Sequence, residues 1–200
     1  MRHFRAQGAV STTGAVAPVV ASFEKVYADT LPSVWRMVRR MGVVASSVED
    51  LVQEVYVVVH RKLSQFNGES SVKTWVLAIT LGVVRNYRRT RKRKGAGLAS
   101  AALVEDPDLI SDESLGPFDQ LSRSEAGRLI QRLLDELDHE KASLFVLVEL
   151  EGQTIPEIAT ALGMNVQTAY SRLAAARREF VRALRRLELA LPERRRSRFA

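Results

Sequence analysis

Between Glu151 and Phe180 the chain is punctuated so closely that few backbones fit it. Thr154, followed three residues later by Glu157, forms a reciprocal capping pair: the hydroxyl takes a free backbone N–H of the first turn and the carboxylate reaches back. Pro156 is tolerated in that same turn, where a missing N–H leaves no intrahelical bond unmade. The helix begun there, Ile155 to Leu162, stops at Gly163, the residue type that takes a left-handed backbone at no steric cost. Asn165 caps a second helix, and Ala159 is small where the two must approach closely. Two short helices joined by a glycine-containing turn make a helix-turn-helix.

On the second helix, Val166, Ala169, Tyr170, Leu173 and Ala176 are predicted to pack on the first, while Gln167, Thr168, Ser171, Arg172, Ala175 and Arg178 face away. Short polar groups and an amide near the helix start, then arginines, suit the floor and walls of a DNA major groove. Arg177, Arg182, Arg185 and Arg186 can meet phosphates. A helical hairpin with a solvated basic face would show the charge as well; caps, turn, small residue and charge together favour the DNA-reading form.

The rest of the chain is also helical in period, with no competing strand signal, so the expected class is all-α: two small helical domains joined by a flexible acidic linker. Residues 1–17 read as a loose leader. In the first domain, 18–94, apolar residues from Phe23 to Met41 recur at steps of three and four, with Pro32 predicted to divide them into two helices and Gly42 to end the second. Ser46 and Glu49 offer a capping box before the stripe Leu51, Val52, Val55, Val59, Leu63 and Phe66. After Asn67 and Gly68, Ser70 or Ser71 caps a long helix from Val72 to about Arg91, with Trp75, Val76, Ile79, Val83 and Tyr87 on its apolar side. The pattern lapses over 95–120, where six acids occur without a basic residue, and this is the linker. A second domain, 121–187, opens with Ile130, Leu133, Leu134 and Leu137 on a helix, then a short apolar helix from Ala142 to Leu150. Residues 188–200 are a basic tail.

Charge is segregated within a net +7. Arg85 to Lys94 holds seven basic residues and no acid, and Arg172 to Arg198 holds ten against three acids, which suggests two separate contacts with polyanions. The absence of cysteine excludes a disulfide scaffold, a thiolate metal site and a cysteine nucleophile. His3, His60 and His139 are too dispersed to suggest a metal site, and no run suits a membrane span or an export signal; the expectation is a cytoplasmic protein without metal, cofactor or catalytic residues.

Several ordered motifs give the chain, from about Ser22 to Leu184, a specific resemblance. Val34-Trp35-Arg36 with Arg39-Arg40-Met41-Gly42, then Glu49-Asp50-Leu51-Val52-Gln53-Glu54-Val55-Tyr56, then Phe66 to Ser71 with Thr74-Trp75-Val76 and Arg85-Asn86 follow one another in the first domain. Val146 to Gly152, Pro156-Glu157-Ile158-Ala159, and Tyr170-Ser171-Arg172-Leu173 with Ala176-Arg177-Arg178 follow in the second. In this order they resemble the extracytoplasmic-function class of bacterial RNA polymerase sigma factors, within the sigma-70 family. The chain departs from the pattern at Asp138-His139, where relatives often have Leu-Pro, and at Ala169, usually Val or Ile.

The resemblance implies a transcription initiation factor with sigma region 2 over 18–94 and sigma region 4 over 121–187. Its implied partners are core RNA polymerase, through the clamp coiled coil of β′ and the β subunit, promoter DNA, and an anti-sigma protein; no small-molecule substrate and no membrane insertion are implied. Asp50, Gln53, Glu54 and Val57 would meet the clamp, and helical spacing independently puts them on one face. Without the motif they would read as a solvated acidic face. Asn67, Ser70, Ser71, Lys73, Thr74 and Trp75 would capture the melted −10 strand, with Trp75 read first as a core residue; Arg85, Asn86, Arg88 and Arg89 would hold phosphates of the adjoining duplex. Gln167, Thr168, Ser171, Arg172, Arg177 and Arg178 would read the −35 duplex. The rival reading is a stand-alone helix-turn-helix regulator, which leaves Asp50 to Tyr56 without a task. An enzyme would need a phosphate-cradling glycine loop or a catalytic grouping that the sequence lacks.

Overall fold

A computed structural model describes residues 22–95 and 125–190. The expected leader, the linker beyond Gly95 and the tail beyond Ala190 lie outside the described residues. The helices are α1 (Phe23–Arg40), α2 (Ala45–Lys62), α3 (Val72–Gly95), α4 (Glu125–Asp135), α5 (His139–Phe145), α6 (Ile155–Leu162) and α7 (Val166–Ala190), and the described residues hold no strand. The all-α class and the two helical units are as expected.

In the first unit α1, α2 and α3 pack around Met37, Val34 and Val38 of α1, Val55 and Val59 of α2, and Val76, Leu77 and Val84 of α3, all removed from water. Each such side chain contributes about 1.5–3 kcal/mol by leaving water. α1 corrects the expected break: it is one helix with Pro32 inside it. Pro32 and Ala28, four residues earlier, both lie on the exposed side, so water can satisfy the carbonyl that loses its donor. The buried face, Val26, Thr30, Val34 and Met37, runs through without interruption. α2 corrects the expected capping box as well. It starts at Ala45, ahead of Ser46, and its N-cap Val44 makes no side-chain bond; buried Met41 and Val43 fix its entry instead. Ser71 does cap α3, its Oγ accepting from the Thr74 N–H at 3.1 Å.

α3 is buried on more sides than its stripe suggested. Leu77, Leu81 and Val84 are buried with Val76 and Val83, whereas Trp75, Ile79 and Tyr87 are only partly covered. The reason is the second unit: α3 packs on α1 and α2 along one flank and on α6 along another. Val146, Leu147, Ile158 and Ala176 belong to the same continuous apolar cluster as the first unit's core.

In the second unit α5 starts at His139, ahead of the expected Ala142, because Asp138 caps it, accepting from the Lys141 N–H at 2.9 Å. It runs into a wide turn over Val146–Leu150, whose Glu151 N–H reaches back five residues to the Val146 carbonyl at 2.9 Å. Thr154 and Asn165 cap α6 and α7, and Gly163 between them has φ +61. Ala159 and Ala169 are buried where these helices meet, and Phe145 stacks on Phe180 with centroids 4.4 Å apart.

Candidate nucleic-acid interface

On α2 the side chains of Asp50, Gln53, Glu54 and Val57 are all exposed, on the flank opposite buried Leu51, Val55 and Val59. The face is acidic and polar with one apolar patch, since Val57 is 48% exposed. It can accept hydrogen bonds and ion pairs from a cationic partner.

The loop after α2 is set by local bonds. The Asn67 side-chain oxygen accepts from the Glu69 N–H at 3.3 Å, and Gly68 takes φ +77. Asn67 and Ser71 are exposed, Ser70 and Lys73 half-buried. Thr74 is buried, its hydroxyl donating to Gln153 Oε1 at 2.5 Å, so the docked fold hides it from any strand. Trp75 is half-buried, its ring 5.2 Å from that of Phe66, and it lines an open groove of about 370 Å³ with Val58, Ile79, Val83 and Ala161. That is chiefly a packing position.

Farther along α3, Arg85, Asn86, Arg88 and Arg89 are exposed, and Arg89 donates to Asn86 Oδ1 at 3.2 Å. Arg88 crosses to the second unit, its Nη1 3.0 Å from His139 Nδ1. A guanidinium only donates, so Nδ1 accepts and the imidazole is neutral. Burial, then Arg88 and Arg85, hold its pKa below 6.5 against weaker upward pulls from Glu140 and Asp138; Nε2 is buried with no hydrogen-bond partner among the described residues. A folded-state value below the unfolded one gives stability present above pH 6.5 and lost as pH falls below it. Wild-type protein is therefore expected to lose more thermal stability between about pH 7 and pH 5.5 than His139→Gln, whose amide oxygen accepts from Arg88 without titrating. Parallel losses in the two proteins would contradict this.

On α7, Gln167, Thr168 and Ser171 are exposed, as are Arg177 and Arg178. Arg172 is half-buried, with Nη1 2.8 Å from Glu140 Oε2, and Arg177 binds Glu149 through two nitrogens at 2.8 and 2.6 Å. The expected packing face narrows to Ala169, Leu173 and Ala176. Val166 and Tyr170 are corrected to exposed positions, at 41% and 49%. Tyr170 thereby joins the Gln167 and Ser171 face, where an aromatic ring with a hydroxyl can meet bases or sugars.

Sequence reasoning missed a polar cluster between the units. The Glu151 carboxylate, with no exposed side-chain surface, takes Arg36 Nε on Oε1 at 3.0 Å and Nη2 on Oε2 at 2.8 Å, and Arg40 Nη1 on Oε1 at 2.9 Å. Lys73 Nζ donates to the Glu151 carbonyl at 3.2 Å, and Gln153 Nε2 to the same oxygen at 2.7 Å. The Ser71 N–H donates to Glu157 Oε1 at 3.2 Å. Burial draws the Arg40 guanidinium pKa down, against the pull of Glu151. The Thr154 hydroxyl, then the Ser71 N–H, hold the Glu157 carboxyl below its usual range. Paired arginines four apart on α1 were the available signal, but nothing local tied them to Glu151.

Among the described residues no His, Asp and Glu group is placed to hold a metal, and no helix is long and apolar enough to cross a membrane.

Comparison with known proteins follows the same division. Residues 26–94 match Sigma-70 region 2 and residues 127–180 match Sigma-70, region 4. The chain is 33% identical over 140 residues to RNA polymerase sigma factor NccH of Alcaligenes xylosoxydans xylosoxydans, covering 70% of this chain and 74% of that protein. It is 27% identical over 137 residues to the ECF RNA polymerase sigma-E factor of Escherichia coli K12, covering 66% and 71%. In fold it is similar to sigma factor RpoE, solved in complex with the anti-sigma factor NepR from Bartonella quintana (TM-score 0.65, 18% identity, 82% of this chain and 96% of that one). It is also similar to CnrH in complex with the cytosolic domain of CnrY (TM-score 0.56, 21% identity, 81% and 86%).

Proposed function

The chain belongs to the extracytoplasmic-function class of RNA polymerase sigma factors, and on that footing we propose how its two units divide the work of promoter recognition. As a sigma factor it is an initiation factor that directs RNA polymerase to promoters. The first unit, residues 18–94, holds the polymerase: Asp50, Gln53, Glu54 and Val57 present acceptors and one apolar contact to the clamp coiled coil of β′. The loop and helix start from Asn67 to Trp75 take the melted −10 strand, and Arg85, Asn86, Arg88 and Arg89 its upstream phosphates. The second unit, residues 121–187, docks α7 in the major groove of the −35 duplex and reaches the β subunit. There Gln167, Thr168, Ser171 and Arg172 meet base edges, and Arg177 and Arg178 the backbone.

The observation that carries this division is the pairing of an exposed acidic face on α2 with two exposed arginine-bearing surfaces, one on each unit. An acidic face repels DNA and suits a protein partner. The chain does no catalysis of its own, works in the cytoplasm and is held in check by an anti-sigma protein, as the complex of RpoE with NepR suggests. The stand-alone regulator is the weaker reading, since the match to region 2 and the relatives account for the first unit. The chain is expected to change where core RNA polymerase starts transcription. Specific DNA binding by the chain alone, with polymerase start sites unchanged, would overturn the proposal.

A further inference from the structure

We propose that Tyr170 sets specificity in the helix-turn-helix: with Val166 beside it, its ring reads the methyl group of a thymine at one fixed position of the −35 duplex. This rests on the assignment of α7 to that duplex.

An exposed ring is ordinary in itself, but the surroundings of this one narrow its use. Tyr27, the other exposed tyrosine, is seated against two rings of the first unit, with centroids 6.2 Å from Phe23 and 4.5 Å from Tyr56. Tyr170 is more exposed, at 49% against 40%, and its side chain has neither a ring contact nor a hydrogen bond among the described residues. Val166 precedes it by four positions, so the two side chains are neighbours along α7. Of the large apolar side chains exposed among the described residues, only these two stand one turn apart on one helix. Gln167 and Ser171, both exposed and polar, lie beside them. The first two turns of α7 thus carry an apolar ridge next to a hydrogen-bonding one.

In duplex DNA the faces of the bases are stacked on one another, so a ring in the groove meets only their edges. On the major-groove floor adenine, guanine and cytosine present donors and acceptors, and thymine alone adds a methyl group. Against a polar edge the Tyr170 ring would strip away water and return no bond. Against the methyl it removes apolar surface from water, while its hydroxyl, at the far end of the ring, stays free to bond a phosphate or solvent. Every −35 element that the chain selects is therefore expected to hold an A·T pair, with thymine on the same strand, at one fixed position.

The test uses a promoter selected by the chain with core RNA polymerase, synthesised with each −35 thymine replaced in turn by deoxyuridine. That change keeps the base pair and removes only the methyl. Affinity of the holoenzyme for each duplex is measured with wild-type chain, Tyr170→Phe and Tyr170→Ser, which leave buried Ala169, Leu173 and Ala176 in place. One position is expected at which deoxyuridine weakens wild-type binding about fourfold, as for one methyl group returned to water. Tyr170→Phe, with its ring intact, keeps that ratio. Tyr170→Ser binds the two duplexes equally, a result that a merely structural role for the ring would not give. A −35 element without a fixed thymine, no sensitive position in wild type, or an undiminished ratio in Tyr170→Ser would overturn the thymine reading. Base-pair substitutions in the same element separate the two claims: if they still weaken binding, the assignment of α7 stands without the thymine contact. If they leave binding unchanged, that assignment falls and the thymine reading with it.

Discussion

Replacing Asp50, Gln53 and Glu54 together by alanine is expected to weaken binding to core RNA polymerase by about 2–4 kcal/mol, a factor of roughly 30 to 1000. All three are exposed on one flank of α2, and the buried side of that helix, Leu51, Val52, Val55 and Val59, is untouched by the change. Surface substitutions of this kind shift stability by about 0.5 kcal/mol at most, and alanine is the better helix former. The melting temperature should therefore hold while affinity, followed by fluorescence anisotropy of a labelled chain, falls steeply. An unchanged affinity would remove the α2 face from the polymerase contact. A parallel fall in melting temperature would make these residues structural.

Arg172→Ala is expected to reduce transcription most at promoters with an intact −35 element, by about 1–3 kcal/mol in the binding step if the guanidinium makes a bidentate base contact. Its present partner is Glu140, at 2.8 Å, with side chains 42% and 64% exposed. A pair so open to water is worth about 1 kcal/mol at most, so its loss leaves the fold intact. The same weakness lets Arg172 exchange Glu140 for a guanine edge. Measured over a set of −35 variants, a base contact gives a loss confined to one position. An equal loss at every variant would make Arg172 a phosphate contact.

Local chemistry was the most legible part of this chain. Thr154, Gly163 and Asn165 act in the structure as their types and spacing require, because caps and turns are settled within four residues. The α2 stripe was legible for the same reason: a single buried face writes its period into the sequence. α3 was harder. A helix covered from several sides shows no single stripe, so Leu77, Leu81 and Val84 escaped notice. Pro32 misled because the rule that proline breaks helices assumes its neighbours cannot be solvated, and here the affected side faces water.

The docking of the units was not legible at all. Arg36 and Glu151 meet across 115 positions, and one carboxylate at the end of an apolar helix looks like a solubilising residue until its partners are in place. The acidic, glycine-containing sequence over 95–120 carries no information about whether the two units rest together. Tyr170 escaped for a smaller reason. α7 packs on α4 and α5 as well as on α6, so which of its residues are covered is set by those partner helices and not by its own spacing.

The most direct measurement is run-off transcription on genomic fragments with core RNA polymerase, with and without this chain. Discrete start sites that appear only when both are present, preceded by two shared sequence elements at fixed separation, are the predicted result. Start sites unchanged by the chain, while it protects specific DNA on its own, would contradict the account.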